Sequence, residues 1–237
     1  MAYRSTPIAH GLFQSPDGNG VTSSALDTTG ADLIVLGVAS YSANAAPTIS
    51  DSKGNAWLSA GAGYVNGSRR LQWYYCQAPV VGTGHTFSAA GAGTFDAIAV
   101  FATSGSASSP LDQQAGNAGS ATPGSITPTA AGELVLTLVT DAQAGSVSTA
   151  VSGGFTIPDT SKPFVSGQTF AVGLAYLVQT TAAAANPTWS GGVAPGSAII
   201  SFKAAAGGGG TGRLSRPARL DGLGGVGQKA FNPSLGV

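Results

Sequence analysis

Residues 69–103 read RRLQWYYCQAPVVGTGHTFSAAGAGTFDAIAVFAT, and their pattern decides the fold. Leu71, Trp73 and Tyr75 alternate with Gln72, Tyr74 and Cys76, the period of two that sends one set of side chains to a buried sheet face. Three strands are predicted: residues 71–78, a short one around Phe87, and residues 95–103. Gly82-Thr83-Gly84 and Gly91-Ala92-Gly93 separate them and suit hairpin-like connections. About a hundred residues later the pattern returns. Val172, Leu174 and Tyr176 echo Leu71, Trp73 and Tyr75; Trp189 echoes Phe87; residues 197–202 echo residues 96–101.

The same order of elements opens both halves. Residues 8–14 and 21–26 read as strands around the dense turn signal Pro16-Asp17-Gly18-Asn19-Gly20. The apolar run 33–39 reads as a central buried strand, and residues 134–140 repeat it, with Glu133 in the place of Asp32. Thr48-Ile49-Ser50 and Ala56-Trp57-Leu58 flank Asp51-Ser52-Lys53-Gly54-Asn55, which reads as a hairpin loop. Residues 104–120 carry small and polar residues without periodicity and read as the crossing between halves. Residues 155–157, 170–179, 188–190 and 198–203 complete the second set of strands, and no stretch combines helical periodicity with a cap. The predicted fold is all-β: a jelly-roll-like antiparallel β-sandwich of two pseudo-repeated halves, about 20–105 and 121–206, within one domain of residues 1–206.

From residue 204 the composition changes. Gly207 to Gly210 read as a hinge, and residues 207–237 as an extended basic arm that docks on a partner, set against the reading of a disordered tail. Residues 1–206 carry six Lys/Arg against nine Asp/Glu, a net of −3; residues 207–237 carry Arg213, Arg216, Arg219 and Lys229 against Asp221, a net of +3. Arg213, Arg216, Arg219 and Lys229 are the candidate partner-binding charges of the arm, with Phe231 as its apolar anchor.

Composition sets the remaining bounds. There are 36 glycines in 237 residues and only 8% charged residues, against about 25% in an ordinary domain. So bland a surface suits an adhesive module or a subunit of a large assembly. Formal net charge is zero, so no global field attracts nucleic acid. The single cysteine, Cys76, excludes an internal disulfide framework and sits in an apolar strand, where it reads as a packing thiol. No run reaches the ~18 apolar residues of a membrane helix, and the first residues lack a secretory signal core, so synthesis in a cytoplasm without export is expected.

Catalytic patterns are sparse. His10 and His85 stand apart from clustered Cys or Asp, which argues against a zinc site. Asp51 and Asn55 hint at a calcium loop, but Lys53 sits between them. Glu133 is the only glutamate, and neither a Gly-x-Ser-x-Gly elbow nor a Gly-x-x-x-x-Gly-Lys loop occurs. No enzymatic activity, cofactor or metal is expected. Tyr41, Trp57, Tyr64 and Tyr74 are candidates for an exposed sugar-binding platform, set against the reading that Trp57, Trp73 and Trp189 fill the core.

The succession of Ala31-Asp32-Leu33-Ile34-Val35, Ile49-Ser50-Asp51-Ser52-Lys53-Gly54-Asn55, Trp73-Tyr74-Tyr75, residues 97–101 and Pro110-Leu111-Asp112 resembles the β-sandwich modules of tailed-bacteriophage virion proteins, of the head decoration and fibre type. The resemblance spans roughly residues 20–203. It implies a structural virion protein of the capsid decoration type; the basic arm departs from the pattern and has no match there, and it is read separately as what holds the protein to the shell. The partner would be the major capsid protein or another virion protein, and the chain a homo-oligomer, a trimer before other states. Neither nucleic acid nor membrane would be bound. The alternative is a sugar- or host-receptor-binding module of a tail or head fibre.

Overall fold

The computed structural model describes residues 3–15, 20–41, 45–91, 93, 95–141, 148–159 and 171–206. These form fourteen strands and no α-helix. The first half carries β1 (Ala9–Gln14), β2 (Val21–Thr22), β3 (Leu33–Tyr41), β4 (Thr48–Asp51), β5 (Leu58–Asn66), β6 (Arg69–Gln77), β7 (Phe87–Ala90) and β8 (Phe95–Thr103). The second carries β9 (Ser106–Asn117), β10 (Leu134–Asp141), β11 (Ala150–Val151), β12 (Ala171–Val178), β13 (Trp189–Ser190) and β14 (Pro195–Ala204). They pair antiparallel into a five-stranded sheet of order β1-β8-β3-β6-β5, a four-stranded sheet β12-β10-β14-β9, a three-stranded sheet β2-β7-β4 and a two-stranded sheet β11-β13.

Strict alternation along the central strands explains their unbroken apolar character. Leu33, Val35 and Ala39 of β3 join one buried cluster, while Ile34, Leu36 and Val38 join another on the opposite face. The first cluster also takes Leu71, Trp73 and Phe101, and from the second half Leu134, Leu136, Leu138, Val172, Leu174, Ile200 and Phe202. The two large sheets therefore share a core. The second cluster is closed by Val21, Phe87 and Ala89 of the three-stranded sheet. On the outer face of the four-stranded sheet, Val139 and Ala175 pack with Trp189 of β13. A strand covered on both faces has no side on which a polar residue is free of cost, so it reads as a continuous hydrophobic run. At ~25 cal/mol per Å² of apolar surface, each large side chain in these clusters contributes roughly 1.5–3 kcal/mol.

Gly37 lies where the two large sheets pack closely. A Cβ there would lie 2.5 Å from Leu138 Cδ1 and 3.0 Å from the Trp73 ring. Leu138 occupies the space that any side chain at 37 would need.

Several sequence expectations are corrected by the pairing. Residues 51–55 do not close a hairpin, because β4 pairs with β7 while β5 pairs with β6 in a different sheet. The Gly82-Thr83-Gly84 segment likewise carries the chain from the five-stranded to the three-stranded sheet; the return from β7 to β8 crosses back, with Ala92 outside the described residues. A two-residue hairpin does occur at Gly67-Ser68, between Asn66 and Arg69. Residues 106–117, read as an unstructured crossing, form β9 on the edge of the four-stranded sheet. Residues 155–157 form no strand and contribute one bridge, Thr156 to Tyr176. The turn residues 16–19 lie outside the described residues.

Met1–Gly207 is one compact unit. The remainder, Gly208–Val237, lies outside the described residues, and with it Arg213, Arg216, Arg219, Lys229 and Phe231.

Candidate functional site

The four aromatic candidates do not form a platform. Tyr74 is buried and its hydroxyl donates to the Pro47 carbonyl at 3.0 Å. Trp57 is half-buried, edge-on to Phe87 with ring centroids 6.0 Å apart. Tyr64 is half-buried under the β9 edge at Gly116, and of the four only Tyr41 is exposed. Trp73 and Trp189 belong to the core. Cys76 is buried too, and burial, with Asp51's charge adding to it, pushes its thiol up to about 11, so it stays protonated at neutral pH.

Three polar constellations were not legible as such. In the first, the Thr28 hydroxyl lies 2.9 Å from His85 Nδ1, and His85 Nε2 lies 3.2 Å from Asp51 Oδ1. The order hydroxyl, imidazole, carboxylate is that of a nucleophilic triad. Yet Thr28 and His85 are 0% exposed, leaving no surface for a substrate. Thr28 Oγ1 also donates to the Gly82 carbonyl and accepts from the Gly82 N–H. Asp51 accepts from Lys53 N at 2.7 Å, from Asn55 and from Trp57 Nε1 at 2.7 Å. Burial raises the Asp51 pKa, but these donors and His85 outweigh it and hold the carboxyl below its ordinary range. The constellation fixes the chain where it leaves β4. No spacing announces it, because its members lie 23 or more residues apart in the chain.

The second constellation joins Asp112 of β9, Glu133 before β10 and Lys203 of β14. Asp112 accepts from Thr129 N and Oγ1 at 2.8 and 2.9 Å and pairs with Lys203 Nζ at 3.2 Å. Glu133 is 0% exposed and accepts from Ala130 N at 2.9 Å. Burial, joined by the Asp112 charge, raises Glu133 despite the Ala130 N–H, whereas the Thr129 and Lys203 donors overcome the burial of Asp112 and lower it. Two carboxyls pushed apart are what acid–base hydrolysis requires, but a sealed Glu133 cannot reach a substrate. Asp32, its counterpart, accepts from Gly105 N and Ser106 N at 2.8 and 3.1 Å. Both carboxylates pin main chain at the start of a central strand.

The third is open. A cavity of about 280 Å³ lies where the end of β3, the β5–β6 turn, the chain after β9 and the start of β14 converge. Tyr41, Asn66, Ser68, Arg69, Ala194 and Pro195 line it. Arg69 is 8% exposed and donates to the Ala118 carbonyl at 2.7 Å, while its Nε is buried without a partner. Burial lowers its pKa, against the charge of Asp141. Asp141 is committed elsewhere: Ser148 N and Oγ donate to it at 2.7 and 3.2 Å. Among the described residues, no group of three or more side chains is placed to hold a metal ion.

Comparisons of the chain with protein-family models, with curated proteins and with solved structures each returned no match.

Proposed function

We propose that this chain is a non-enzymatic structural protein of a bacteriophage virion, a capsid decoration β-sandwich anchored through residues 207–237. Two large sheets with one common core, each backed by a smaller sheet, support the sandwich. That each large sheet is drawn from one half supports a jelly-roll-like sandwich built from two pseudo-repeated halves. The observation that carries the reading is the contrast along the chain. A charge-poor β body whose two catalytic-looking constellations are sealed is followed by a glycine hinge and a segment of net +3. The resemblance of residues 20–203 to virion modules gives that contrast a place.

An arm that orders on binding buries much area per residue at an entropic cost, and several copies around a symmetry axis, a trimer in this reading, offset that cost through avidity. Arg213, Arg216, Arg219 and Lys229 meet acidic groups of the major capsid protein or another virion protein, and Phe231 fills an apolar pocket. The test has two parts. Copy number in purified particles, measured against the major shell protein, should run to hundreds. Deleting residues 207–237 should leave a folded body that no longer binds particles, and unchanged occupancy refutes the anchor.

The second reading is a sugar- or receptor-binding module of a tail or head fibre. The open cavity with Tyr41 in its wall favours it. A few to a few dozen copies per particle would put this reading first.

A further inference from the structure

Arg69 is an uncommon kind of buried residue. It is more than nine-tenths buried, yet among the described residues it makes no ion pair within 4 Å. Its Nη1 is taken by a neutral carbonyl, that of Ala118, and its Nε has no acceptor. The carboxylate to which it couples, Asp141, accepts from Ser148 at both oxygens. Burying a guanidinium costs free energy unless an anion or a full set of acceptors receives it. Among the described residues no carboxylate lies within ion-pair distance of it and its acceptors are incomplete, and a cavity lies beside it.

The walls of that cavity narrow the choice of anion. Tyr41 presents an exposed ring, held by Phe95 at a centroid distance of 6.4 Å. Asn66 and Ser68 bring an amide and a hydroxyl from the β5–β6 turn. Ala194 lines it with φ of +47°, a left-handed conformation that is unfavourable for a non-glycine residue and that concentrates at ligand sites. The volume of about 280 Å³ falls just below the range of drug-sized sites. It suits one sugar ring rather than a chain.

We propose that the Arg69 cavity binds the carboxylate-bearing sugar residue of an acidic glycan, a uronic-acid-type unit. The guanidinium pairs with the sugar carboxylate, whose two oxygens match its planar fork. Asn66 and Ser68 hydrogen-bond ring hydroxyls, and the Tyr41 ring covers the apolar face of the sugar. The site does not depend on where the chain resides, so particle copy number and sugar binding fail or succeed separately.

The test is a titration of the full-length protein with sodium glucuronate, followed through the Arg69 side-chain and Ser68 and Asn66 amide resonances. Glucose and sodium acetate serve as the ring without charge and the charge without ring. Glucuronate should saturate these resonances with Kd on the order of 1 mM, at least about tenfold tighter than either control, and more weakly as salt rises. Ser68→Ala and Asn66→Ala change exposed side chains and keep the fold; each should weaken glucuronate several-fold. Arg69→Lys, checked for folding by its tryptophan emission, should lose about tenfold because the ammonium cannot pair two oxygens at once. Three results would overturn the proposal: no saturable shift with glucuronate, acetate acting as well as glucuronate, or unchanged affinity in Ser68→Ala and Asn66→Ala.

Discussion

The two halves of this protein share a backbone plan and differ in what fills it. In sheet order, β1-β8-β3-β6 of the first half corresponds to β9-β14-β10-β12 of the second. Local detail follows. Leu26 and His85 exchange backbone hydrogen bonds, as do Ile126 and Ala185. Ser52 N donates to Thr86 O while Ser52 Oγ accepts from Thr86 N, and Ser152 repeats both bonds with Thr188. Around these shared bonds the side chains diverge. Asp51, Asn55, Trp57 and the buried His85 form a polar network in the first half. Val151, Phe155, Ile157 and Ala185 stand at the matching positions, and the first three pack on Trp189. One plan thus admits two solutions at the same place: polar side chains gathered around the Asp51 carboxylate, or an apolar plug with nothing to satisfy. The difference teaches that partial conversion is the unstable state.

That lesson is open to direct attack. Asp51→Val alone removes the acceptor of Trp57 Nε1 and of the Lys53 N–H and leaves His85 without its carboxylate, and should cost about 3 kcal/mol. Adding His85→Ala moves the site toward the second half's solution. Denaturant unfolding should then show a double-mutant loss about 1–2 kcal/mol smaller than the sum of the singles. Additive losses would mean that the residues do not act as a unit and that the halves differ only in composition.

What the sequence revealed and what it hid divide along the same line. Strands with buried faces announce themselves through period two or, when both faces are covered, through an apolar run, so β3, β6, β8, β10, β12 and β14 were legible to within one to three residues at most ends. β9 was not, because an edge strand of Ser, Gln, Gly and Asn carries no apolar alternation; its pairing with β14 defines it. Sheet membership was hidden too. Turn signals at Gly82 and Gly54 are the same whether the chain folds back on its neighbour or crosses to another sheet. Of the candidate site residues, Tyr41 was legible as an aromatic with no buried role to explain it. Arg69 was not, since an arginine opening a strand reads as solvated surface until the second half closes over it with Ala118 and Pro195.

A second contrast, smaller in energy, lies at the start of β8 and β14. Asp96 is 1% exposed and neither carboxyl oxygen has a hydrogen-bond partner among the described residues. Ser197 holds the matching position and donates to the Ser120 carbonyl at 2.8 Å. Burial pushes Asp96 up to about 6. An acid whose pKa is higher folded than unfolded is bound more tightly to its proton in the native state, so stability falls as pH rises from about 4 to about 6 and levels off above. Over that window the loss should be about 1–2 kcal/mol. Asp96→Asn should remove the slope and raise stability at pH 7 by about 1 kcal/mol, seen as a higher midpoint in denaturant. A slope that survives the substitution would assign it to another carboxyl and leave the two positions equivalent.

The smallest test asks whether the shared backbone is shared in energy as well as in form. Gly54 and Gly154 follow β4 and β11, with φ of +74° and +77°, and a Cβ at either would meet nothing within 4 Å. With sterics removed, Gly54→Ala and Gly154→Ala measure only the cost of forcing an L-residue into left-handed backbone, about 1 kcal/mol each. The surroundings differ greatly, polar network against apolar plug, so equal losses in denaturant unfolding mean that the turn geometry is set by the main chain in both halves. A Gly54→Ala loss well below that of Gly154→Ala would show the Asp51 network redirecting its own turn to accommodate the new side chain. The polar network would then be a determinant of the local backbone, and the divergence of the halves would begin in the main chain rather than in the side chains that cover it.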